Sequence, residues 1–74
     1  MPTIASLQKG EKGIITEFSV DLIPLKLLEM GCTPGEKIMV ERKAPFNDPI
    51  AIVVSGFMLS LRKEDAEKII VKQL

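Results

Sequence analysis

Ser55-Gly56 lies between two apolar runs that match each other residue for residue. Folded on a two-residue turn at that point, residues 50–61 pair Val54 with Phe57, Ile52 with Leu59 and Ile50 with Leu61. Three apolar pairs then fall on one face. Ala51 meets Ser60 and Val53 meets Met58 on the other. Side chains alternate between the two faces of a strand, so a slip of one residue would turn the whole apolar set outward. The hairpin register is therefore strongly specified, and the fold must supply a core for one of its faces.

The rest of the chain reads as short elements around that hairpin. Residues 4–10 suit an entry strand or turn, and Gly10 and Gly13 flank a polar corner. Residues 13–18 alternate, with Ile14, Thr16 and Phe18 on one face and Ile15 and Glu17 on the other, and Ile14 is expected inward. Residues 21–30 predict a helix. Asp21 can cap it, Pro24 falls in the first turn, and Leu22, Leu25 and Leu28 make an apolar stripe. Gly31 supplies the left-handed stop, and Thr33-Pro34-Gly35-Glu36 suits a type II turn.

Residues 37–42 alternate again with Ile38 and Val40 inward. Two prolines make residues 44–49 a loop. Residues 62–68 read as a polar helical turn, and Ile69-Ile70-Val71-Lys72 as a last strand. The expectation is a single domain over residues 1–74, mostly β. Its architecture is a small SH3-like barrel of about five strands, closed on itself, with a helix after the first strand and a helical turn before the last. Its expected core contains Ile14, Leu28, Ile38, Val40, Ile52, Leu59 and Leu61.

Composition excludes several functions. The 74 residues carry ten basic and ten acidic side chains, and the only aromatics are three Phe. Phosphate contacts dominate nucleic-acid affinity, so a chain with no basic excess and few stacking rings is not expected to bind nucleic acid. There is no His to act as general base, and Cys32 has no His to activate it, so no catalytic residue and no enzyme activity are expected. One Cys without His is a poor ligand set for a first-row metal, so no metal site within one chain and no cofactor are expected. Glu29 with Cys32, three apart, would at best make a partial site. The lone Cys suits a reducing compartment, and Cys32 is expected to pack as a small hydrophobe. Residues 1–10 lack the pattern of a signal peptide, and no apolar run approaches a bilayer span, so a cytoplasmic location without membrane insertion is expected.

Three motifs then carry a resemblance. Leu27-Leu28-Glu29-Met30-Gly31 followed by Pro34-Gly35 resembles the helix-and-turn motif of FeoA proteins. Ala44-Pro45 with Asp48-Pro49-Ile50 resembles the loop between the middle strands of that family. Leu59-Ser60-Leu61-Arg62-Lys63 with Ala66 and Ile69 resembles its closing signature. The similarity runs in order from about Leu7 to Val71. Lys26 stands where the family often has Arg, and Cys32 where a large aliphatic residue is usual. The resemblance implies an SH3-like barrel with an inserted helix. It also implies a cytoplasmic accessory role beside a membrane ferrous iron transporter that carries a guanine-nucleotide-binding domain. The alternative it implies is a metal-responsive regulatory domain that binds transition metal ions, because the same fold is appended to some metal-dependent repressors.

The expected partner is the cytoplasmic portion of the transporter, with the chain itself a monomer or weak homo-oligomer. The expected contact surface joins the helix end and following turn (Leu27, Glu29, Met30, Pro34) to the proline loop (Pro45, Phe46, Asp48). Proline and glycine hold both segments, which lowers the entropy lost on binding. Both also carry apolar side chains that the strand patterns do not need, notably Met30 and Phe46. The structural alternative is that Phe46 folds back as a lid on the core. Val53 and Met58, on the outer hairpin face, are the next candidates.

Overall fold

Ile50, Ile52 and Val54 are fully buried, as the hairpin pattern requires. The structure, a computed structural model, describes residues 2–18 and 25–74. Five strands follow in order: β1 (Lys12–Phe18), β2 (Lys37–Lys43), β3 (Ile50–Val54), β4 (Phe57–Leu61) and β5 (Ile69–Gln73). They form one antiparallel sheet in the order β4-β3-β2-β1-β5. A helix, α1 (Leu25–Glu29), lies between β1 and β2, and a single turn, α2 (Lys63–Ala66), precedes β5. The expected starts of the helix at Asp21, Leu22 and Pro24 fall outside the described residues.

The β3–β4 register is the one the pairing of apolar residues dictates, from Val54↔Phe57 to Ile50↔Leu61. Ser55 and Gly56 both have positive φ, 53° and 81°, as a type I′ turn demands. The type II turn is also present: Gly35 has φ 95°, and its neighbour Glu36 donates its N–H to the Thr33 carbonyl at 3.1 Å.

The inward face of β1 is the reverse of the expected one. Ile15 is buried and Ile14 only half-buried, because Ile15 stands opposite buried Val71 and Ile14 opposite exposed Lys72; the register with β5 then breaks between Ile15 and Glu17. Thr16 is the extra residue of this bulge. It donates its hydroxyl to the Ile70 carbonyl at 3.2 Å, and Phe18 returns to pack on the core. Ahead of the bulge the inward neighbour of Ile15 is Gly13. A Cβ there would lie 3.2 Å from the Val71 side chain and from the Lys72 carbonyl, so β5 approaches closely and would have to give by a few tenths of an ångström to admit a side chain. Alternation alone cannot choose between adjacent Ile residues, and it cannot see a bulge.

The helix stripe is corrected in the same way. Leu27 is buried, while Leu25 and Leu28 are exposed. The reason is the helix stop. Cys32 donates its N–H to Leu27 and Gly31 to Leu28, at 3.0 and 3.1 Å, with Gly31 at φ 97°. This is a Schellman arrangement, which brings the residue after the glycine onto the helix residue five before it. Leu27 and Cys32 therefore enter the core together.

The entry segment forms a 3-10 turn, Ile4–Ser6, and sends Ile4 and Leu7 into the core. Thr3 bridges Ile70, and Val71 donates its N–H to the Pro2 carbonyl at 3.0 Å, so the outer edge of β5 is covered. Among the described residues, no hydrogen bonds close the barrel at its other end, and β4 pairs with β3 alone.

Ile15→Ala is expected to cost about 2–5 kcal/mol and Ile14→Ala well under half of that, measured by urea unfolding. Equal costs would show that pairing with the buried face of β5 does not set the inward face of β1.

Candidate docking site

A recess bordered by apolar side chains lies where the end of α1 meets the β3–β4 turn. Gly31 sits so close to the turn that a Cβ there would lie 3.6 Å from Ser55 Oγ. Glu29, Met30 and Gly31 form one wall of a cleft of about 460 Å³, and Ser55, Phe57, Met58 and Leu59 form the other. Phe57 is 70% exposed and Met58 63% exposed, so the helix end borders these side chains without covering them. Ser55 Oγ donates to Glu36 Oε2 at 3.1 Å, which places a carboxylate at the hairpin turn, and Glu29 lines the helix wall of the cleft.

The proline loop lies at the opposite end of β3. Residues 45–47 form a short 3-10 turn that leads into Ile50, and a smaller recess of about 360 Å³ runs from Arg42 and Pro45 to Ser60. Phe46 is 94% exposed and has φ 66°, a left-handed conformation that a bulky side chain rarely adopts. Its ring does not fold back as a lid. Asp48 is committed inside the molecule. Its Oδ1 accepts the Lys63 N–H at 3.1 Å, at the start of α2, and lies 3.5 Å from Arg62 Nε. The ion pair is exposed and contributes little, and the backbone bond fixes the loop to α2.

The expected surface is thus divided. Glu29 and Met30 lie at one end of the hairpin, and Pro45, Phe46 and Asp48 at the other, about 13 Å apart by the rise of a five-residue strand. Pro34 is exposed on its turn. Leu27 is withdrawn from the surface because the Schellman arrangement buries it. What links the two ends is β4, whose Leu59 lines one recess and Ser60 the other. Phe57 pairs with Val54 as the hairpin pattern requires, yet Val54 is buried and Phe57 exposed. An apolar residue next to a hairpin turn at the sheet edge has no neighbour beyond it, and that position was the available signal.

No group of three or more His, Cys, Asp or Glu side chains able to hold a metal occurs among the described residues. Glu29 and Cys32 do not form a partial site, since Glu29 faces solvent and Cys32 is fully buried. Burial raises the Cys32 thiol pKa above its usual value near 9.0.

The described arrangement is a small SH3-like domain. The FeoA protein of Stenotrophomonas maltophilia, described as an SH3 domain protein, superposes on it with a TM-score of 0.82 over 97% of this chain and 91% of that one; at 19% identity this is a likeness of fold. A model of the FeoA domain matches residues 3–73. An Fe(2+) transport protein A/Fe(2+) transporter FeoB fusion protein of Porphyromonas gingivalis (strain ATCC BAA-308 / W83) is 33% identical over 67 residues. That match covers 89% of this chain and 8% of the fusion protein. Iron(II) transport protein A of Clostridium thermocellum is 32% identical with a TM-score of 0.90, over 99% of this chain and 46% of that one. The chain belongs to the FeoA family.

Two measurements test the site chemistry. A thiol reagent at pH 8 should label Cys32 only after urea unfolding. Because the folded thiol pKa is raised, its contribution is complete below the unfolded value near 9.0 and is lost as pH rises through the folded value. The parent should therefore lose stability above about pH 9 more steeply than Cys32→Ala. Calorimetry with ferrous iron or zinc under reducing conditions should show no submicromolar one-to-one binding, because no described ligand set supports it.

Proposed function

We propose that this domain is a cytoplasmic, non-enzymatic accessory of ferrous iron uptake that docks on the cytoplasmic portion of the membrane ferrous iron transporter. The single observation that carries the reading is the fusion relative, in which a segment 33% identical to this chain belongs to one polypeptide with Fe(2+) transporter FeoB. Joining two domains in one chain gives them a high effective concentration without any strong contact. A separate domain must supply its affinity from its own surface. No helix among the described residues is long and apolar enough to cross a membrane, so contact with the transporter's protein surface is the simplest route to a membrane partner.

The α1-end cleft supplies the main anchor. Met30 and Met58 are flexible, polarizable side chains that adapt to a partner, and Phe57 adds aromatic area. The proline loop supplies a second contact through Phe46, whose ring is held out in solvent by its backbone. A partner that covers both must span the hairpin.

Met30→Asp and Phe46→Asp should each weaken binding to the transporter's cytoplasmic portion by about 30-fold, the loss expected when an interface anchor is removed. The melting temperature of Phe46→Asp should match the parent, because the ring is already in solvent. Parental affinity in both variants would overturn this surface and leave the outer hairpin face at Val53 as the next candidate.

A further inference from the structure

We infer that β4 binds its partner by accepting an extended segment as an additional strand along its open edge. The inference rests on the docking reading above and specifies what the partner must present. In a hairpin closed by two residues, the closing pair exchanges both backbone bonds, and such pairs alternate along the strands. Val54–Phe57 is that closing pair, so Phe57, Leu59 and Leu61 turn their amides and carbonyls to β3. Met58 and Ser60 turn theirs to the other side. Among the described residues nothing pairs with them there.

Proteins ordinarily blunt such an edge with lysine, proline, a bulge or a covering segment. Phe57-Met58-Leu59-Ser60-Leu61 carries no charge and no proline, and its register with β3 is unbroken. The cleft confirms where the open edge lies. Phe57, Met58 and Leu59 are consecutive, and successive strand residues point to opposite faces, yet all three line one cleft. The cleft therefore follows the rim of the strand, and the rim that β3 leaves free is the one described. The end of α1 flanks this rim through Glu29, Met30 and Gly31.

Charge sets the rest of the partner's chemistry. Glu36 stands at the turn end of β4 and Glu29 on the helix wall of the cleft, and Lys63 and the Asp48-paired Arg62 follow the far end of β4. The complementary occupant is an extended peptide segment with apolar side chains at alternate positions and a Lys or Arg at the end that reaches Glu29. Main-chain bonds to Met58 and Ser60 would hold it, and its side chains would pack on Met30, Phe57 and Met58.

The test is amide hydrogen exchange of the full chain, read by NMR, with and without the transporter's cytoplasmic portion. On binding, the Met58 and Ser60 amides should be protected at least about tenfold. Met58→Pro removes one outward N–H and spares the bonds to β3, so it should weaken binding about tenfold more than Met58→Ala, which removes the side chain alone. If Met58→Pro does not fold, the exchange result on the parent chain still decides. Binding with unchanged exchange at both amides would overturn strand addition and leave the docking reading intact. Absence of binding would overturn both. Protection that appears without the partner and grows with protein concentration would assign the edge to a second copy and overturn the proposal.

Discussion

Two extra residues, Thr16 in β1 and Glu41 in β2, turn a flat ribbon into a barrel. Each sits where the register with a neighbouring strand breaks, between Ile15 and Glu17 and between Val40 and Arg42. A bulge bends its strand and increases the local twist. In β1 the bend lets one strand pair with β2 through Lys12–Ile14 and with β5 along its length, while Ile15 and Phe18 both reach the core. In β2 it sets Lys43 opposite buried Ile50, and the ammonium finds the Ala5 carbonyl at 2.9 Å. That bond ties the entry turn over one end of the barrel, where Ile4 and Leu7 fill it and Ala66 of α2 packs.

The recognition surface follows from the same economy. A chain of 74 residues has one core and no interior to spare for a deep pocket. Its recesses occur where regular elements stop. The Schellman stop at Gly31 buries Leu27 and Cys32, and by doing so sets Met30 against the hairpin turn. The strand that ends the sheet, β4, then borders a cleft along the rim that no described strand pairs with. Core packing and the proposed docking surface are thus two consequences of one helix end.

The order of elements was legible from the residues. The apolar matching about Ser55-Gly56 left only one acceptable register, and Pro34-Gly35 and Gly31 marked turns through φ values that few residues accept. Four of the expected core residues, Ile38, Val40, Ile52 and Leu61, are buried: Ile38 and Val40 precede the bulge in β2, and the β3–β4 register of Ile52 and Leu61 is unbroken. Leu59 packs on the core from a half-buried position. The FeoA resemblance, spread over three motifs, agrees with the family model that matches residues 3–73.

Local pattern could not settle which of two adjacent apolar residues faces inward when a long-range contact decides it. Ile15 rather than Ile14 is buried because it stands opposite buried Val71 of β5, and Leu27 rather than Leu28 because Cys32 folds back on the helix end. The site divided for the same reason. Helix end and proline loop are neighbours in the family motifs, yet the length of β3 separates them. Sequence by itself determined the turns, the hairpin register and the absence of a basic excess or a histidine, because these depend on residue chemistry and short-range geometry. Only the tertiary structure decided the parity of β1, the burial of Leu27, the outward ring of Phe46 and the open rim of β4, because each depends on which distant strand lies alongside.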